Sequence, residues 1–289
     1  MKVIDWFSAG PAPRRSNRSR RWAFPAVVAA LFAFAPIIAG AQTLKIGGTG
    51  SGMPTMELLA AEFSKMAPEV SVVVVPNLGS SGGLKALRDG VLDLAITSRA
   101  LKTEETAQGL TALEYGRTAL VFATNNPADR LGSLAELIDV YVGKRTDWAP
   151  GRPIRLILRP RNDGDTALLQ AISPQMKQAV EIALARPGMS VASTDQDMAD
   201  TLERTAGALG VTTLSLIQIE KRRLSMLSLN GVMPGPATLA DGSYPLAKPM
   251  YLVRSAAPKD AVLRFTAFVA SPRARQLLVN NGHWVPTRN

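Results

Sequence analysis

Residues 75–101, VPNLGSSGGLKALRDGVLDLAITSRAL, contain a strand end, a glycine-serine turn, a helix and a second strand end. Val72 to Val75 is a β-branched run suited to a buried strand. Gly79-Ser80-Ser81-Gly82-Gly83 breaks it, and Leu84, Leu87 and Val91 then recur at helical spacing. Asp93 to Thr97 reads as the second strand, delivering Thr97, Ser98 and Arg99 at its end. A helix start leaves its first amides without intrahelical partners and carries partial positive charge, and the flanking glycines allow an oxyanion to come close. Ser80 and Ser81 therefore stand where an anion is favoured, although a GSSGG turn by itself is more often a plain helix cap.

The same order occurs upstream. Leu44-Lys45-Ile46 is a short strand, Gly47-Gly48-Thr49-Gly50-Ser51-Gly52 is a glycine loop, and Pro54 opens a helix whose buried stripe is Met56, Leu59, Ala60 and Phe63. No Gly-Lys-Ser/Thr follows, so a nucleotide P-loop has little support. Two strand-helix-strand passages before residue 100 predict a right-handed, mostly parallel α/β sheet. Further along, Thr118 to Ala123 reads as a buried strand, Ser133 to Trp148 as a helix, and Ile154 to Leu158 as a strand. A polar loop, Arg159 to Thr166, follows and enters a helix. Pro174 to Arg186 and Asp195 to Ala206 read as helices, Val211 to Ile217 as a strand, and Tyr244 to Val253 as a strand returning to the first half. Val262 to Val279 gives two amphipathic helices split by Pro272.

GSSGGLKAL, its following Asp-Leu-Ala strand, and SLAELIDVYVGKRTDW at residues 133–148 resemble the phosphate-binding proteins of ABC transporters, type II periplasmic binding proteins. The resemblance covers most of the chain after residue 41. It implies a two-lobed α/β periplasmic-binding-protein fold, each lobe a mostly parallel sheet with flanking helices, joined by two hinge crossings. The lobes would be residues 42–124 with 246–289, and residues 125–245. In such receptors an Arg at a strand end and a following Asp-Gly-Ser-Gly-Thr hold the anion. Arg159 and Thr166 match, but Gly164-Asp165 replaces Ser-Gly with one residue more in the loop. The family's Asp acceptor falls on Ser98, and many relatives show Ser-Arg there, as Ser98-Arg99 does. Asp165 is then either the acceptor for the proton of HPO4²⁻ or an N-cap on the helix at Thr166; Arg99 is either a ligand contact or a surface ion pair. Where the family has a Thr, Gly52 stands, and Ser51 is the nearest hydroxyl. The implied ligand set is Ser51, Gly52, Met53, Ser80, Ser81, Thr97, Ser98, Arg99, Arg159, Asp165 and Thr166, closing between the lobes on inorganic phosphate or a similar oxyanion.

The first 41 of the 289 residues have the pattern of a secretory signal. Arg14, Arg15, Arg18, Arg20 and Arg21 precede an apolar run from Ala23 to Ala39, and Ala39-Gly40-Ala41 offers a cleavage site near Ala41. Pro25 and Pro36 bracket that run and leave it short of the roughly 20 residues of a spanning helix. No cysteine occurs, which excludes disulfides, thiolate metal sites and lipidation of a cysteine. Six bases and one acid lie in this segment, so the remainder keeps 27 Lys/Arg against 22 Asp/Glu. That mild excess, with 6% aromatics and no dense basic stripe, speaks against nucleic acid. His283, the single histidine, has no Gly-X-Ser-X-Gly partner, and the acids lack metal-ligand spacing, so neither a serine hydrolase nor a metal enzyme is indicated. The expectation is a periplasmic, monomeric, non-enzymatic receptor without cofactor. It would hand its anion to an ABC transporter permease; the alternative is a sensing or scaffolding protein that keeps the fold and signals to a partner.

Overall fold

The computed structural model describes residues 42–76 and 78–286. The expected signal segment and its cleavage site lie outside them. The chain runs β1 (Gln42–Gly48), a 3-10 turn (Gly50–Gly52), α1 (Met53–Phe63), β2 (Val70–Val75), α2 (Gly79–Arg88), β3 (Leu94–Thr97) and α3 (Thr103–Ala107). A long β4 (Thr111–Thr124) leads to α4 (Leu134–Val142), β5 (Asp147–Ala149), β6 (Arg152–Pro153) and β7 (Arg155–Leu158). Next come α5 (Gly164–Ala171), α6 (Pro174–Ala185), β8 (Ser190–Val191), α7 (Asp195–Arg204), β9 (Ala208–Thr213), α8 (Leu214–Ile219) and β10 (Ser225–Met226). The described residues end with α9 (Pro236–Ala240), β11 (Ala247–Arg254), α10 (Asp260–Val269), α11 (Pro272–Asn280) and β12 (His283–Trp284).

Strand order is β2-β1-β3-β11-β4-β9-β7-β8. β1 pairs parallel with β2 and β3, and β7 pairs parallel with β8 and β9, while β11 and β4 run antiparallel to their neighbours. Each set of parallel strands has its own apolar core. One gathers Leu44, Ile46, Met56, Phe63, Met250, Phe265 and Phe268; the other gathers Leu120, Phe122, Tyr141, Ile157, Met176, Leu202 and Tyr244. The pairing nonetheless runs unbroken through β4, because 14 residues are long enough to serve both. Residues 111–119 pair with β11, and 120–123 pair with β9. The change from one core to the other falls between Tyr115 and Ala119 on β4, and between Leu246 and Met250 at β11.

Several expected elements shift. β4 begins at Thr111, seven residues before the expected start. The helix expected over 133–148 ends at Val142, where Gly143 takes a φ of +83° that suits a residue without a Cβ, and Trp148 belongs to β5. Leu214 to Ile217 is helix rather than strand. The Thr213 hydroxyl accepts the Leu216 N–H at 3.4 Å and starts a turn there, and Leu214, Ser215, Leu216 and Ile217 are all buried. A short apolar run buried on every side carries no period that separates strand from helix. The helix beginning at Gly164 is capped by Asp163, whose carboxylate accepts the Asp165 N–H at 2.8 Å, so Asp165 is not the cap.

His283 and Trp284 pack as a plug. β12 pairs with β4, the buried His283 ring lies 3.0 Å from the Thr55 hydroxyl, and the Arg117 guanidinium sits 5.2 Å above the Trp284 ring. Burial pushes the imidazole down to about 3, so the ring stays neutral.

Candidate functional site

β1, β3 and α2 meet closely. Gly48 has a φ of +150°, and a Cβ there would lie 2.0 Å from the Ile96 carbonyl oxygen. A Cβ on Gly83 would lie 2.8 Å from the Gly48 Cα. The two glycines let the first turns of α2 settle against the end of β1. Ser80 and Ser81, in the first turn of α2, therefore face a cavity of about 870 Å³. Ser98, just past β3, donates its N–H to the Ser80 hydroxyl at 3.2 Å, and the two hydroxyl oxygens lie 3.4 Å apart. Gly50, Arg159, Asp163, Asp195, Gln196 and Lys248 also line this cavity, so elements from both apolar cores contribute.

Arg159 follows β7 and is 5% exposed. It donates to the Ala192 carbonyl at 3.0 Å and to the Asp163 carboxylate at 2.8 Å. Its Nε lies 4.0 Å from Asp165 and has no hydrogen-bond partner among the described residues. Lys248, on β11, is 2% exposed; its ammonium pairs with Asp165 at 2.5 Å and with Asp195 at 3.5 Å. Asp195 opens α7 and also lies 3.9 Å from Arg159, and it accepts the Ser51 backbone N–H. Beside it, Gln196 donates to the Gly50 carbonyl at 3.0 Å. Two cations and three carboxylates thus share one buried network. Buried charges persist only when paired in this way.

A family model for the PBP superfamily domain matches residues 35–273. The chain belongs to the PBP superfamily. Among curated relatives, Protein SphX of Synechococcus elongatus is 27% identical over 270 residues, covering 84% of this chain and 77% of that one. The phosphate-binding protein PstS of Borreliella burgdorferi is 23% identical over 251 residues, covering 83% and 89%. A candidate phosphate ABC transporter substrate-binding protein of Clostridium perfringens, solved with bound phosphate, has the same fold. Its TM-score is 0.67 at 23% identity, over 85% of this chain and 100% of that one.

In this PBP domain the expected ligand residues fall into two groups. Ser80, Ser81, Ser98, Arg99 and Arg159 line the cavity. Ser51 and Gly52 are buried beneath it, and Met53 is half-buried outside the lining. Thr97 gives its hydroxyl to the Arg99 carbonyl at 2.8 Å, and Thr166 gives its own to the Pro160 carbonyl at 2.9 Å. Asp165, 1% exposed, faces Lys248 rather than the cavity. Arg99 is held by both oxygens of Glu105, at 2.8 and 2.7 Å, and this pair drops the Glu105 carboxyl to about 2. Arg99 thus carries an ion pair and at the same time lines the cavity.

Lys248, Asp195 and Gln196 were not anticipated. The signal for Lys248 was its solitary charge in PLAKPMYLV; Asp195 and Gln196 look like an ordinary helix start after Thr194.

The network makes the domain's stability depend on pH. Burial raises the Asp165 carboxyl from its ordinary value near 3.8 to about 6, against the pull of Lys248 and with the help of the Asp195 and Asp163 charges; Arg159 pulls it down as well. Between about pH 4 and 6 the folded chain keeps a proton on Asp165 that the unfolded chain has released, so its contribution to stability falls as pH rises through that window. Asp195 is shifted the other way by Lys248 and Arg159, in spite of its burial, and its contribution is lost only below its ordinary range. Urea midpoints measured from pH 4 to 7 should show the wild type losing stability relative to Asp165→Asn between pH 4 and 6. Parallel curves over that range would refute the assignment.

Among the described residues, no helix is long and apolar enough to cross a membrane.

Proposed function

We propose that this chain is an exported solute-binding protein that captures inorganic phosphate, or a similar oxyanion, in the cavity between α2 and Arg159 and delivers it to an ABC transporter. Arg159 carries the reading. It is a buried guanidinium at a strand end, with an unpartnered Nε, lining a cavity whose other side is a glycine-serine helix start. Arg presents a planar fork suited to tetrahedral oxyanions, and helix N-termini add amides. The name of the Borreliella burgdorferi relative, a phosphate-binding protein, points to the same ligand.

In this reading the two apolar cores are the cores of two lobes. β4 and the approach to β11 are the hinge crossings, and closure over the anion brings Ser80 and Arg159 together. The protein works as a periplasmic monomer, cleaved near Ala41, and binds without turnover. Of the eleven expected ligand residues, Ser80, Ser81, Ser98 and Arg159 make side-chain contacts. Arg99 lends field, and Ser51, Gly52, Met53, Thr97, Asp165 and Thr166 shape the backbone and charge beneath. Calorimetric titration of ligand-stripped protein with phosphate, arsenate, sulfate and molybdate tests this. Micromolar or tighter phosphate binding, about −8 kcal/mol or more favourable, is the expected result. Absence of binding to all four anions would overturn it.

One observation favours a sensing or scaffolding role as the second reading. Asp163, Asp165 and Asp195 surround Arg159 and Lys248, so both cations are paired with carboxylates of the chain itself.

A further inference from the structure

The Asp195 carboxylate is itself an oxyanion, and it sits on three groups of the kind an oxyanion seeks: the Ser51 backbone N–H, the Lys248 ammonium at 3.5 Å and the Arg159 guanidinium at 3.9 Å. It has no local duty that explains this position. The N-cap of α7 is Thr194, whose hydroxyl accepts the Asp197 N–H at 3.0 Å. The opposing turn is shaped to receive it. A Cβ on Gly50 would lie 2.8 Å from an Asp195 carboxylate oxygen and 2.7 Å from the Gln196 side-chain oxygen, so only glycine admits both at that distance. Gln196 then fastens the start of α7 to that turn through the Gly50 carbonyl. The Gly50–Gly52 turn leads into α1 of one core, and α7 belongs to the other.

We propose that Asp195 is an internal ligand of the cradle: it holds the place of the incoming oxyanion, and binding is an exchange in which the external anion displaces it from Ser51, Lys248 and Arg159. The proposal rests on the oxyanion reading of the same cavity and adds its selection rule. A monoanion gains little by replacing a carboxylate that already covers one charge. A tetrahedral dianion reaching both Lys248 and Arg159 covers two, so exchange favours it. Asp195 is in this way a specificity-determining residue, and Lys248 a ligand-contacting cation. Two further groups at the cradle have no hydrogen-bond partner among the described residues: Arg159 Nε, which can donate to the newcomer, and the Gln196 side-chain oxygen, which can accept only from a protonated oxygen such as the P–OH of HPO4²⁻.

Asp195→Asn keeps the shape of the side chain and removes its charge, and Asp195→Ser serves as a second variant if the first melts early. Inorganic phosphate is titrated into wild type and variant by calorimetry. Exchange of the Ser51 amide hydrogen is followed by NMR in ligand-free protein. Removing the competitor is expected to tighten phosphate binding by roughly 10-fold or more and to speed Ser51 exchange. Equal or weaker phosphate binding by a folded variant overturns the proposal and leaves Asp195 a structural ion pair. If neither wild type nor variant binds phosphate, the oxyanion reading fails on its own account, and the amide then decides: faster exchange in the variant supports Asp195 as the resident of the cradle, and unchanged exchange overturns it.

Discussion

Replacing Lys248 by methionine is expected to lower the unfolding free energy by about 3–5 kcal/mol, the range found when one partner of a buried ion pair is removed. Methionine is close to lysine in length, so the packing of β11 is little disturbed. What changes is charge. Asp165 and Asp195 are both buried and both face the Lys248 ammonium, and without it they are left with Arg159 alone at about 4 Å. The triple variant Lys248→Met, Asp165→Asn, Asp195→Asn should regain most of the loss, because it removes the orphaned charges along with the cation. Chemical denaturation of the three proteins at pH 7 measures both effects. A loss below about 1 kcal/mol for Lys248→Met, the worth of an exposed pair, would show that the network is open to water.

Arg159→Ala is expected to weaken phosphate and sulfate alike by about 100-fold or more. A hydrogen bond to a charged group contributes about 1.5–3 kcal/mol, and the guanidinium offers more than one donor. Arg159→Lys should recover only part of this, since an ammonium cannot reproduce the fork, yet it keeps a cation beside Asp163, Asp165 and Asp195 and so protects the fold. Paired calorimetric titrations of the two variants with both anions separate these effects. An alanine variant that folds and binds phosphate as wild type does would remove Arg159 from the site.

Much of the architecture was legible locally. Gly79 to Gly83 against Leu84 and Leu87 announced α2, Pro54 announced α1, and Thr194 and Pro272 announced α7 and α11; each signal is a cap or a period within a few residues. The helix end at Val142 came with Gly143 in the left-handed region, and at Leu214, where the local pattern was ambiguous, burial on all sides chose helix over strand. On the site, the sequence pointed to the α2 start and to Arg159, which both line the cavity, because both are ends of regular elements. It pointed to Asp165 as a polar group but not to the direction it faces.

The sequence by itself determined the strand-helix-strand order, the placing of Ser80, Ser98 and Arg159 at element ends, and the glycines that let β1, β3 and α2 approach. These follow from the allowed conformations of a few neighbouring residues. Only the tertiary structure decided that Lys248 lies between Asp165 and Asp195, and that Asp195 sits on the Ser51 amide. A lysine in a strand and an aspartate at a helix start are ordinary solvated residues until distant segments enclose them. Their pairing depends on the removal of water, which no local spacing encodes.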